Sequence, residues 1–101
     1  MGKLIKVGSV KDIPLNTGKV IDLGDKSIAL FNVNGNFYAI SNVCLHRGGP
    51  LGEGELEGNI VTCPWHGWQY NVITGENVDD PELKLETYKV LVEGESLYVE
   101  I

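Results

Sequence analysis

The chain has 101 residues, enough for one domain with a modest hydrophobic core and too few for two. Its formal charge of −6, from 8 lysines and arginines against 14 acids, leaves no clustered basic surface for phosphate and argues against a nucleic-acid partner. Every apolar run is broken within a few residues, and residues 1–7 carry Lys3 and Lys6, so neither a membrane span nor a secretory leader is expected and the chain reads as cytoplasmic.

Short runs rich in β-branched and aromatic residues recur between Gly, Asn and Asp, and no stretch has the three-and-four spacing of an amphipathic helix. An all-β fold follows. In chain order, a strand is expected over 4–7, then one helical turn over 9–14 with Ser9 as its cap and Pro14 closing it. Strands over 20–23, 27–33 and 37–41 come next. The last two are joined at Asn34-Gly35, a pair that tolerates the positive φ angles of a type I′ hairpin. Residues 47–58 hold Gly48, Gly49, Gly52, Gly54, Gly58 and Pro50, too much punctuation for a central strand, and are expected to form a structured loop. Strands over 60–63, 68–72, 85–93 and 97–101 complete the chain, with a hairpin turn at Glu93-Gly94-Glu95-Ser96. No repeat, linker or low-complexity tract interrupts this order, so residues 1–101 are expected to be a single domain.

The chemistry is concentrated in two places. The chain's only cysteines and histidines fall in Cys44-Leu45-His46 and Cys63-Pro64-Trp65-His66. Each cluster sits where an expected strand meets a turn, so two loops can each present one thiolate and one imidazole to a common site. Two cysteines and two histidines suit either tetrahedral zinc or a cluster in which one iron has two thiolates and the other two imidazoles. Zinc fingers usually pair like with like, whereas each loop here is mixed. Side chains one residue apart, as in Cys44-x-His46, can reach two different metal centres, which favours a dinuclear cluster. With both cysteines ligating, no disulfide forms, in keeping with a reducing compartment.

The pattern Cys44-x-His46, sixteen residues, then Cys63-x-x-His66-Gly67 resembles the signature of Rieske-type 2Fe-2S proteins. The likeness continues through Arg47-Gly48-Gly49, residues 51–58, Trp68-x-Tyr70 and Thr74-Gly75. The resemblance implies an antiparallel β-sandwich base topped by a small cluster-binding subdomain of two loops, about residues 42–76. It implies one 2Fe-2S cluster, with Cys44 and Cys63 on the inner iron and His46 and His66 on the outer one.

Rieske proteins of respiratory and photosynthetic complexes carry an extra cysteine in each loop and a serine that hydrogen-bonds the cluster. This chain has Gly49, Trp65 and Trp68 at the matching positions. It therefore resembles the lower-potential kind found as ferredoxins and in aromatic-ring oxygenase systems, because each lost hydrogen bond to sulfur destabilises the reduced state. The lower half of the range of about −150 to +300 mV is expected, with Tyr70 still able to donate to a cysteine sulfur. The potential should also fall at alkaline pH, where the histidines can lose protons. Trp65 and Trp68 read as shielding and core, the glycines as backbone geometry around the cluster, and Pro81 equally as a loop over the cluster or an ordinary surface turn.

These features imply a one-electron carrier, a Rieske-type ferredoxin moving electrons from a reductase to a terminal oxygenase or other redox acceptor. An oxygenase would need two further histidines for a mononuclear iron, and both are already assigned. The alternatives are a Rieske-fold small subunit of a larger oxidoreductase, such as nitrite reductase, and a structural zinc module. The acidic composition suggests docking steered by charge.

Overall fold

The structure is a computed structural model that describes residues 3–24, 26–44, 49–65 and 67–101. Among the described residues nine strands are formed: β1 (Leu4–Ser9), β2 (Thr17–Leu23), β3 (Lys26–Val33), β4 (Asn36–Ser41), β5 (Glu55–Glu57), β6 (Ile60–Thr62), β7 (Gln69–Asn71), β8 (Thr87–Glu93) and β9 (Ser96–Glu100). All pairings are antiparallel. Six strands form one sheet in the order β1-β9-β8-β4-β3-β2, and β5-β6-β7 form a second.

The large sheet curls on itself. Val7 of β1, Ile21 of β2, Ile28 and Leu30 of β3, Ala39 of β4, Val90 of β8 and Val99 of β9 meet in one apolar cluster, closed by Ile13. The alternate residues of β3 and β4, Ala29, Phe31, Val33 and Ile40, point the other way. There they pack with Leu56, Val61 and Tyr70 of the small sheet and with Leu51, Val72 and Leu85. β3 is thus buried on both faces, which is why its sequence, Ile28-Ala29-Leu30-Phe31, is a continuous apolar run rather than an alternating one. Continuous burial makes this strand the wall shared by two cores.

The local signals read from sequence correspond to real turns. Asn34 and Gly35 both adopt positive φ, 52° and 95°, between β3 and β4, and Gly94 turns β8 into β9 at φ 63°. The helical turn after β1 is a 3₁₀ turn, Val10–Asp12. The Ser9 hydroxyl accepts from the Lys11 N–H, and the Asp12 carboxylate accepts from the Ser9 N–H at 3.0 Å. Ile13, not Pro14, ends it.

Residues 47–58 needed correction. Where the sequence reads as loop throughout, the described part contains a 3₁₀ turn, Leu51–Glu53, and strand β5. The glycines serve close approach, not turn geometry alone. A Cβ on Gly52 would lie 2.7 Å from Val20 Cγ2 and 2.9 Å from Val20 N, and one on Gly54 would overlap the Thr62 carbonyl oxygen. Glycine-rich chain here packs on β2 and β6 more tightly than any side chain allows.

Candidate metal centre

Two chain segments rise from the sheets and meet over the core that lies between them. The first leaves β4 at Ser41. Val43 bridges Pro50 in antiparallel fashion, and the Cys44 N–H donates to the Gly49 carbonyl at 3.1 Å, so the segment folds back on itself around Cys44. The second follows β6. The Cys63 N–H donates to the Trp68 carbonyl at 2.7 Å, and the Cys63 carbonyl accepts from the Gly67 N–H at 3.1 Å. Gly67 closes that turn at φ 78°, a left-handed conformation that a side chain would strain.

The segments touch at Gly49. A Cβ there would stand 2.7 Å from Cys63 Sγ and 3.1 Å from Trp65 Cγ, so only glycine lets the first segment pass over the second cysteine's sulfur. Cys44 and Cys63 are each 2% exposed and belong to the same apolar cluster as Phe31, Leu51, Val61 and Tyr70. The hydroxyl of Tyr70, a fully buried side chain on β7, lies 3.5 Å from Cys44 Sγ. Two soft sulfur donors therefore end up on adjoining backbone turns, screened from water, with the space around one of them kept open by a glycine. That arrangement fits the thiolate half of a metal centre. His46 and His66, expected as the imidazole half, lie outside the described residues.

The surroundings sort the remaining expectations. Trp68 is partly buried against the core, as expected, but Trp65 is 57% exposed and forms surface rather than shielding. Val43, adjacent to Cys44, is 48% exposed, so apolar side chains flank both cysteines at the surface. Pro81 sits in an exposed turn organised by Asn77, whose Oδ1 accepts from the Asp79 and Asp80 N–H groups at 2.9 and 3.0 Å. Sequence reasoning passed over Asn42, which is 6% exposed and hydrogen-bonded through both ends of its carboxamide at the foot of the first segment. Its signal was a polar residue immediately after an apolar strand and two residues before a candidate ligand.

Comparison with known proteins gives a consistent picture. The model of the Rieske [2Fe-2S] domain matches residues 3–89. Apoptosis-inducing factor 3 of Homo sapiens is 38% identical over 91 residues, which are 89% of this chain but only 15% of that protein. The ferredoxin component of the naphthalene 1,2-dioxygenase/salicylate 5-hydroxylase systems of Ralstonia sp. is 34% identical over 89% of this chain and 88% of its own length. Among solved structures, a chain from the complex of reduced oxygenase and oxidised ferredoxin in carbazole 1,9a-dioxygenase superposes with a TM-score of 0.87 at 32% identity. That match covers 95% of this chain and 91% of the other.

Proposed function

The chain belongs to the Rieske [2Fe-2S] domain family, and from that premise we propose that it is a one-electron carrier, a ferredoxin passing electrons from a reductase to a terminal oxygenase or other redox acceptor. The observation that carries the reading is the buried pair Cys44 and Cys63, brought onto adjoining turns with Gly49 holding space at the Cys63 sulfur. Cys44 and Cys63 would bind the inner iron of one 2Fe-2S cluster, and His46 and His66 the outer iron. The whole of residues 1–101 would act as one domain, with residues of about 42–76 as its cluster-binding part. When bound, the cluster supplies a single reversible one-electron couple.

The chain's own residues then have distinct tasks. A metal-bound cysteine sulfur has no proton, so the Tyr70 hydroxyl would donate to Cys44 Sγ across the 3.5 Å between them, favouring the electron-rich state. The Cys63–Gly67 and Cys44–Gly49 backbone bonds brace the two turns that carry the cysteines. Burial of both cysteines keeps water from the sulfurs. The exposed apolar pair Val43 and Trp65 gives a redox partner a small dry contact beside the centre, of the kind transient electron-transfer complexes use. The chain's net charge of −6 supports association with a basic partner face. A cytoplasmic setting suits two cysteines given over to metal ligation, and no helix among the described residues is long and apolar enough to cross a membrane.

The carrier reading is tested by anaerobic titration of the purified protein with dithionite, followed by reoxidation. Uptake and return of one electron per chain is the expected result. A protein that accepts no electron, or carries one zinc ion and no iron, removes the reading and leaves a structural module.

A further inference from the structure

Asn42 makes four hydrogen bonds in a buried position, and together they tie three parts of the fold into one joint. Its N–H donates to the Ser27 carbonyl at 2.9 Å, and its Nδ2 donates to the Ser27 hydroxyl at 3.1 Å, both at the start of β3. Its carbonyl accepts from the Leu51 N–H at 2.9 Å, and its Oδ1 accepts from the Gly52 N–H at 2.7 Å. The orientation of the amide is set by chemistry, because the Gly52 N–H can only donate and so must face the oxygen.

The joint stands on rigid ground on both sides. Ser27 pairs with Asp22 in the β2–β3 ladder, and Gly52 is wedged against the Val20 backbone so closely that a Cβ would fall 2.9 Å from Val20 N. Between Asn42 and Leu51 runs the segment that carries Cys44. Asn42 therefore holds the outgoing and returning ends of that segment together, while Val43–Pro50 and Cys44–Gly49 continue the closure outward.

We infer that Asn42 is a positioning residue for the Cys44 half of the centre: its carboxamide fixes where Cys44, and through Gly49 the space at Cys63, can stand. The inference rests on the electron-carrier reading above for what the centre is. It adds a residue to which neither the ligand pattern nor the family model assigns a role. Asn32 provides a matched control. It is equally buried, at 6% exposed, and its Nδ2 and Oδ1 bridge Ile13 O and Gly35 N, each at 2.8 Å, at the far end of β3. The two asparagines do the same mechanical work, but only one of them does it beside the cysteines.

The test compares Asn42→Ala, Ser27→Ala and Asn32→Ala as iron-loaded proteins. Lost supporting contacts to metal ligands typically weaken a site by about 10- to 100-fold. Asn42→Ala should therefore lose iron to a chelator at least about tenfold faster than wild type and shift the g values of the reduced protein. Ser27→Ala, which keeps the Gly52 bond, should stay near wild type, and Asn32→Ala should lower Tm while leaving the g values unchanged. An Asn42→Ala protein with wild-type g values and wild-type iron retention overturns the inference. Should that variant not fold, hydrogen exchange on the wild-type protein decides instead. Leu51 and Gly52 N–H groups must then exchange as slowly as those of β3, and fast exchange overturns the joint. Wild-type protein that binds no iron-sulfur cluster would remove the carrier reading, while the exchange result would still judge the joint on its own.

Discussion

The curled six-stranded sheet and the small three-stranded sheet reach order by different routes. In the large sheet, strands of five to eight residues each place apolar side chains on one common face, and side chains from all six, with Ile13, close a core separate from the small sheet. In the small sheet each strand has three residues, too short to stand alone, and Leu56, Val61 and Tyr70 are ordered by packing on the outer face of β3 and by glycines that let backbone touch backbone. The part of the molecule that carries the cysteines is thus the part with the least structure of its own. Its geometry is borrowed from the base through β3 and, at one point, through Asn42.

Substituting the cysteines should separate the two regions most sharply. Cys63→Ser is expected to abolish iron binding and colour while circular dichroism of the apo-protein retains the β-signal of the large sheet. Metal analysis alongside the spectrum checks this, and full iron occupancy in the variant would place the centre elsewhere. Next in size are truncations on the two faces of β3. Phe31→Ala and Leu30→Ala remove fully buried side chains and should each cost about 2–5 kcal/mol in denaturant unfolding. Only Phe31→Ala opens the core beneath the cysteines, so only it should speed iron loss under native conditions.

One substitution made in both regions gives a smaller but more telling contrast. Gly35→Ala, at φ 95° where an added Cβ meets nothing within 4 Å beyond its chain neighbours, should cost about 1–2 kcal/mol through backbone strain and leave the centre untouched. Gly49→Ala meets Cys63 Sγ at 2.7 Å and should cost about 1–3 kcal/mol by overpacking, with a lowered iron content on purification. Equal iron content in the two variants would show that the segments do not meet at Gly49.

The smallest effect belongs to the base alone. Tyr88, partly buried on β8, donates its hydroxyl to Glu86 Oε1 at 2.6 Å, and burial, then Glu86, push its pKa up to about 12. A raised pKa means that the folded protein favours the protonated phenol. The contribution is complete below the unfolded value near 10 and disappears as pH climbs through about 12. Tyr88→Phe should therefore flatten the fall of Tm over that alkaline window without altering the visible spectrum, as thermal melts across the window would show.

Much of this architecture was legible in the residues. Asn34-Gly35 and Glu93–Ser96 carried the backbone chemistry of their turns, and the apolar runs of β3, β4 and β9 marked strands because packing there demands them. The small sheet was harder. Glu55-Leu56-Glu57 has the alternation of a strand, with Leu56 buried between exposed acids, but three residues are too few to outweigh the glycines on either side. Those glycines signal close approach as readily as turning, and the sequence does not say which backbone is approached. What Asn42 bonds to was hidden for a related reason, since its partners Ser27, Leu51 and Gly52 come together only after β3, β4 and the following turn have packed. The cysteines and histidines marked Cys44 and Cys63 as candidates in the sequence, and the hydrogen bonds around Cys44 could be read only from the fold.

Pulsed EPR of the dithionite-reduced protein tests the central claim, a centre held by two cysteines and two histidines, more directly than any substitution. The expected result is a 2Fe-2S signal whose average g lies below that of four-cysteine clusters, with strong coupling to two imidazole nitrogens. A signal without nitrogen coupling, or a colourless and EPR-silent protein containing one zinc ion, would contradict it.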